Sequence, residues 1–147
     1  MNYKIDRIDP SEYVDVVTLW EISVRETHDF LKEEDISFFK PLILNTYLNA
    51  VELRCIRSES GEIYGFSGVS EGNLEMLFVH PHQMGKGIGK ALLIYAIERH
   101  QVTKVDVNEQ NPNAMGFYAR NGFTVVGRSE LDGTGKPYPI VHMHYEK

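Results

Sequence analysis

The sequence predicts a mixed α/β domain, grading toward α+β, built on one sheet flanked by helices. That sheet is mostly antiparallel with a single parallel pair. Three observations carry this. Val51, Leu53 and Cys55 alternate with Glu52 and Arg54, and short turns at 59–62 and 71–73 then return the chain, which gives consecutive antiparallel strands. An apolar strand at 74–79 leads through a helix to the β-branched run 102–107, so those two strands are parallel. Ahead of the sheet, Tyr13, Val16, Val17, Trp20 and Val24 recur at the spacing of one helical face.

The elements follow in order. Residues 2–8 read as a short first strand. Asp9-Pro10 then supplies an N-cap and a proline for the first helical turn. The helical period breaks around 26–35, and a second helical stretch is expected from about Phe38 to Asn49. A hairpin turn at 59–62 joins the strand of Val51 to the strand 63–69, and Glu71-Gly72-Asn73 turns into strand 74–79. A helix is expected from Gly87 to His100, with Ala91, Leu92, Tyr95 and Ala96 as its apolar stripe. Asn111-Pro112 opens another helix and Asn121-Gly122 closes it. Two strands, 123–129 and 140–145, end the chain, separated by a loop rich in glycine and proline.

At 147 residues the chain suffices for one domain with one substantial core, taken as 1–147. Hydrophobic residues make up 42% and charged residues 24%, which excludes disordered and fibrous classes. A formal net charge of −6 argues against nucleic acid or anionic membranes as partners and suits a cationic substrate. The lone cysteine, Cys55, forms no internal disulfide and reads as an inert thiol in a strand, which fits a reducing compartment. The first residues carry no apolar signal segment, and no run approaches the ~18 apolar residues of a membrane span. A cytoplasmic protein, monomer or homodimer, is expected.

The chemistry concentrates in Val79-His80-Pro81-His82-Gln83-Met84-Gly85-Lys86-Gly87-Ile88-Gly89-Lys90. A strand ends, proline stops it, three alternating glycines follow, and a helix begins. Glycines let the backbone approach a ligand, and the first helical turn offers unpaired N–H groups at its positive end. A phosphate-bearing ligand is the first expectation. A nucleotide P-loop is excluded, since no Gly-Lys-Ser/Thr closes the loop. A dinucleotide site requires Gly-x-Gly-x-x-Gly at the start of repeated βαβ units. Here the pattern is Gly-x-Gly-x-Gly in the second half, among antiparallel strands, although Asp106 imitates the ribose-binding acid. A glycine-rich turn with no ligand is the bland reading.

Two segments together resemble the GNAT superfamily of N-acetyltransferases. The family's Arg/Gln-x-x-Gly-x-Gly/Ala signature aligns its glycines with Gly87 and Gly89. Its first position falls on Met84, a departure, with Gln83 one place early. The segment from Asn111 to Phe123 resembles the family's Asn-x-x-Ala-x-x-Phe-Tyr-x-x-x-Gly-Phe, with Asn111, Ala114, Phe117 and Tyr118 in register.

This resemblance implies a GNAT fold and transfer of an acetyl group from acetyl-CoA to a primary amine by direct attack, without a metal. It implies diphosphate binding by main-chain amides of Met84, Gly85, Lys86, Gly87, Ile88, Gly89 and Lys90. It places the pantetheine arm along Leu77, Phe78 and Val79, where two strands splay apart, with Asn111, Ala114 and Phe117 alongside. An N–H near that edge would hold the thioester oxygen as charge develops on it.

Tyr118 is the family-matched acid for the leaving sulfur, since a phenol stays protonated at neutral pH. Its alternative role is a core aromatic beside Phe117. Glu75 interrupts an apolar strand, on the expected face of Leu77 and Val79, and is either a base or an ion-paired rim residue. His28, in the break between the first two helices, is the rival base or a solvated side chain, with Asp29 as a helix cap. Tyr138, between two prolines, either lines the acceptor pocket or anchors a turn. Asn108 either bonds the substrate or caps Glu109-Gln110. His142 and His144 share a strand face without a third metal ligand at recognisable spacing, and His80 and His82 are expected to face solvent. A noncatalytic acyl-CoA-binding module on the same scaffold is the alternative to an enzyme.

Overall fold

A computed structural model describes residues 3–146. The chain enters through a two-residue strand, β1 (Asp6–Arg7), paired with the second strand at Cys55 and Arg54. This is shorter than the expected 2–8. Arg57 reaches across to bind Asp6 at 2.8 Å and Glu12 at 2.6 Å, which pins this edge. Asp9 accepts from the Ser11 amide while Glu12 accepts from the Asp9 amide, closing a capping box around Pro10. Helix α1 (Tyr13–Thr27) follows and buries Val16, Val17, Trp20 and Val24, the face the period predicted.

Helix α2 (Glu33–Leu42) starts five residues before the expected Phe38. Its first turn carries Glu33, Glu34 and Asp35, whose charges complement the positive helix end. Apolar periodicity is blind to such a turn. Lys32, not Asp29, occupies the N-cap position. Pro41 has no amide for the Ser37 carbonyl, and the chain then widens into a π-helical turn at Ile43–Tyr47 before a 3-10 turn at Leu48–Ala50.

Strands β2 (Glu52–Arg57), β3 (Ile63–Ser70) and β4 (Asn73–Val79) form an antiparallel run. Glu71 and Gly72 both take positive φ, 51° and 77°, in the tight turn between β3 and β4. Helix α3 (Ile88–Arg99) crosses to β5 (Lys104–Asn108), which lies parallel to β4. Helix α4 (Pro112–Arg120), β6 (Phe123–Ser129) and β7 (Ile140–Tyr145) complete the sheet, in the order β1-β2-β3-β4-β5-β7-β6.

Two features of β4 position the site. First, its pairing with β5 covers only Asn73↔Lys104 and Leu74↔Val105. Beyond Leu74 the two strands part, as the resemblance implied. Second, β4 bulges at Glu75. Val69 of β3 faces Leu74 while the next residue, Gly68, faces Met76, so Glu75 is the extra residue. The bulge re-phases the strand. Leu74, Leu77 and Val79 pack toward α3 and α4, whereas Met76 and Phe78 pack toward α1 and α2. Glu75 joins Met76 and Phe78 on one cavity wall, not the face of Leu77 and Val79 expected from simple alternation. Glycine at 68 permits the crowding opposite, since a Cβ there would stand 2.9 Å from Val51.

Candidate functional site

The glycine loop is shaped as an amide nest. Pro81–Gln83 forms a single 3-10 turn, and the Met84 amide is spent on the Pro81 carbonyl at 3.4 Å. That removes Met84 from the amides expected to bind phosphate. Gly85 and Gly87 hold φ of 79° and 83°, a conformation that strains any residue with a Cβ. Among the described residues, no group accepts a hydrogen bond from the amides of Gly85, Lys86, Gly87, Ile88, Gly89 or Lys90; the first inward bond of the helix is Ala91 to Gly87 at 3.0 Å. The loop is held from below, where the Tyr3 hydroxyl donates to the Lys86 carbonyl at 2.6 Å. Lys86 also donates to the Gln83 side chain at 3.0 Å. Six consecutive donors at a helix start, without an acceptor among the described residues, are an arrangement suited to an anion.

From the nest, the opening between β4 and β5 continues past Val79 and α4. A Cβ on Gly89 would lie 3.6 Å from Val79 Cγ2 and 3.7 Å from Phe117 Cζ, so the helix start, the strand end and α4 converge there. Ala114 and Phe117 are half-buried beside it, and Asn111 caps α4 by accepting from the Ala114 amide at 3.2 Å. Leu77, Phe78 and Val79 have no strand partner on the β5 side.

Tyr118 is buried, packed edge-on against Phe117 and Phe123. Its hydroxyl has no hydrogen-bond partner among the described residues, and burial holds the phenol well above its usual range. It therefore stays protonated and is uncommitted. The structure brings it to the α3–α4 side of the sheet, not to the cavity that holds the other candidates.

That cavity, of about 470 Å³, opens on the opposite face between α1, α2 and the β6–β7 loop. Trp20, Val24, Leu31, Phe39, Met76 and Phe78 make it largely apolar. Glu75, His28, Asn108 and Tyr138 also line it, so four residues singled out by sequence meet in one place. Trp20 and Val24 belong to the helical face that the period predicts; a core face and a cavity wall share one pattern, so the period does not show that they also line a cavity.

Glu75 is solvent-exposed, and none of the ion pairs among the described residues includes it. Its reading as an ion-paired rim residue is therefore not met.

His28 caps the C-terminus of α1. Its Nδ1 lies 2.7 Å from the Thr27 hydroxyl and its Nε2 lies 3.4 Å from Asn111 Nδ2. Burial lowers its pKa to about 4, so the ring is neutral near pH 7. It is not the solvated side chain of the alternative reading.

Tyr138 is buried and its hydroxyl donates to Asp35. Its ring is a wall, and its polar end is already engaged. Asn108 accepts from the Gln110 amide at 2.9 Å, the capping role, while also facing the cavity.

The other conspicuous residues lie elsewhere. His142 bridges Asp106 at 2.6 Å and Ser129 at 2.7 Å, and with His144 it borders a polar depression over β5 and β7. His82 is exposed, as expected, and His80 is half-buried, its Nδ1 accepting from the His82 amide at 3.1 Å. Cys55 is fully buried and burial raises its thiol to about 11, which makes it inert. No helix among the described residues is long and apolar enough to cross a membrane.

Comparison with known proteins shows the family and the fold. The acetyltransferase (GNAT) domain family matches residues 31–147. The peptidyl-lysine N-acetyltransferase YjaB of Escherichia coli K12 is 36% identical over 145 residues, 99% of this chain and 98% of that protein. The solution structure of apo YjaB matches with a TM-score of 0.87, over 99% of this chain and 98% of that one. The peptidyl-lysine N-acetyltransferase YiaC of the same organism is 33% identical over 137 residues, 89% of this chain and 93% of that protein. The fold alone is shared with the PaiA N-acetyltransferase of Thermoplasma acidophilum, solved with coenzyme A, at a TM-score of 0.70 and 20% identity over 99% of this chain and 100% of that one.

Proposed function

The chain belongs to the GNAT family and is an acetyl-CoA-dependent N-acetyltransferase, and from that premise we propose that its acceptor is the ε-amine of a lysine within a polypeptide. The dinucleotide-binding alternative falls away with membership of the family, and near full-length identity to a named acetyltransferase favours an enzyme over a noncatalytic module. One observation carries the choice of acceptor. The cavity, of about 470 Å³, has mainly apolar walls, and Glu75, a carboxylate with no ion pair among the described residues, stands where β4 parts from β5. An alkylammonium fits that combination: its methylenes cover apolar surface and its charge meets the carboxylate. The net charge of −6 favours approach of a cation. Both YjaB and YiaC are named for acetylating peptidyl lysine.

In this reading the diphosphate of acetyl-CoA sits on the amides of Gly85 to Lys90 and the pantetheine arm runs along Leu77–Val79 beside Asn111, Ala114 and Phe117. The acetyl group then reaches the opening between β4 and β5 from the α3–α4 side. The acceptor amine comes from the cavity side. Glu75 takes the ammonium proton, directly or through water, and the free amine attacks the thioester carbon. A main-chain N–H of the unpaired β4 edge holds the oxyanion. The intermediate collapses, the C–S bond breaks, the sulfur leaves as a thiolate with a hydrogen bond from the Tyr118 hydroxyl, and the attacking nitrogen sheds its second proton to solvent to become the amide. His28, neutral and with both ring nitrogens engaged by Thr27 and Asn111, orients the acceptor, whereas Glu75, exposed and outside every ion pair among the described residues, offers a free carboxylate to the ammonium.

The test is release of free coenzyme A thiol from acetyl-CoA with a panel of lysine-bearing peptides, polyamines and free amino acids. Peptides are expected to support the highest kcat/KM, and Glu75→Gln is expected to lower it at least tenfold across pH 6–9. A polyamine preferred over every peptide refutes the acceptor assignment. Full activity of Glu75→Gln refutes the proton relay.

A further inference from the structure

Asp35 is the one buried carboxylate among the described residues. It lies in the first turn of α2, on the far side of the acceptor cavity from β4, and nothing in the reaction uses it. Both of its partners come from the β6–β7 loop, about a hundred residues away in sequence. The Tyr138 hydroxyl donates to one carboxylate oxygen, and the Lys136 ammonium lies 2.9 Å from the other. Together these hydrogen bonds hold the carboxylate below its usual pKa range. The Lys136 ammonium also sits 4.4 Å over the ring of Phe38, one turn further along α2. The Lys32 amide donates to the Tyr138 oxygen at 3.4 Å.

The loop is prefolded for this grip. Asp132 Oδ1 accepts from the Thr134 amide at 2.9 Å, the Thr134 hydroxyl at 2.7 Å and the Lys136 amide at 2.9 Å. Gly135 turns the chain at φ 83°, and the Pro139 carbonyl accepts from the Glu109 amide at 2.9 Å, which ties the loop to the end of β5. The side chain so gripped is a wall of the cavity. Tyr138 packs on Phe30 at 6.2 Å between ring centres, and Phe30 packs on His28 at 5.2 Å. Asp35 therefore connects, through Tyr138 and Phe30, to the ring that meets Asn111.

We propose that Asp35 is a positioning residue for the amine acceptor: by clasping Tyr138 it fixes the β6–β7 loop as one wall of the acceptor cavity. It touches neither substrate nor coenzyme. The proposal rests on the acceptor reading of the cavity given above. Its physical content is that Tyr138 needs an acceptor for its buried hydroxyl, and only a carboxylate both accepts that bond and pairs with Lys136. Without the clasp the ring loses its fixed placement, and the bound amine loses a wall on one side.

Steady-state kinetics test this on the amine that the chain acetylates fastest. Asp35→Ala and Tyr138→Phe are each expected to raise the KM for the amine about tenfold, the KM for acetyl-CoA remaining within twofold. The two substitutions together are expected to do no more than Asp35→Ala alone, since the bond that Tyr138→Phe removes is one of those Asp35→Ala removes. Asp35→Asn keeps an oxygen for the Tyr138 hydroxyl and is expected to restore the amine KM to within about threefold of the parent chain. If Asp35→Ala does not fold, Tyr138→Phe and Asp35→Asn carry the same comparison. Filling the cavity from another wall with Ala50→Trp separates the two ideas. No change in amine KM with Ala50→Trp overturns the acceptor reading of the cavity. A raised KM there, with Tyr138→Phe unchanged or with fully additive effects of Asp35→Ala and Tyr138→Phe, overturns the role of Asp35 alone.

Discussion

Replacing Gly89 with alanine is expected to stabilise the fold while weakening coenzyme binding. Gly89 is the second residue of α3 and its φ is not in the left-handed region. An added Cβ would meet Val79 Cγ2 at 3.6 Å and Phe117 Cζ at 3.7 Å, ordinary packing distances. The fold therefore has no need of glycine at this position. Glycine in a helix is less favourable than alanine by roughly 0.5–1 kcal/mol, and a first-turn site belongs at the lower end. About 0.5 kcal/mol corresponds to a Tm higher by about 1–2 °C for a chain of this size. The methyl group would, however, occupy the gap between Val79 and Phe117, where the proposed path of the coenzyme runs from the amide nest to the β4 edge. Displacing a well-fitted ligand by one methyl is expected to weaken binding about tenfold, or about 1.4 kcal/mol. Calorimetric titration with acetyl-CoA and a thermal melt of the unliganded protein read the two effects. Unchanged affinity refutes the placement of the coenzyme; a lowered Tm refutes the claim that the fold tolerates a side chain there.

Two further predictions follow from buried titratable groups. Tyr118→Phe keeps the ring packing on Phe117 and Phe123 and is expected to lower kcat at least tenfold with the KM for acetyl-CoA unchanged, measured by thiol release; unchanged kcat refutes its role at the sulfur. His28 binds its proton less readily when folded, with a pKa of about 4 against 6.5, so the unfolded chain takes up more protons between those values. Its contribution to stability is full above about pH 6.5 and is lost as pH falls toward 4, amounting to about 3 kcal/mol at most. Urea melts across that window are expected to show a shallower pH dependence for His28→Gln, and an identical slope refutes the neutral buried ring.

The parts of the site that depend on backbone conformation were legible in the chain. Gly85 and Gly87 stand where φ is positive, Pro81 ends a strand, and Asn111-Pro112 caps a helix, because each geometry admits few residue types. Element order was legible for the same reason, through turn residues and apolar period. What depends on a partner far away in sequence was not. The face of Glu75 is decided by a bulge opposite Gly68, and alternation along β4 alone assigns it wrongly. The start of α2 lay in an acidic run that resembles a solvated loop until its helix dipole is considered. Asp35 shows no sign in sequence of being buried, since its burial comes from Lys136 and Tyr138. His28 was noticed, but its contact with Asn111 joins two segments that no local pattern relates.

The brief union of β4 and β5 has a mechanical consequence. Only two rungs stitch the left half of the sheet, with its core under α1 and α2, to the right half under α3 and α4. In the proposed reading, a cofactor arm lying in the gap would supply the missing rungs and act as a surrogate strand. The catalyst is then fully knitted only while its acyl donor is aboard, and amides at the seam should exchange with solvent most slowly in that state.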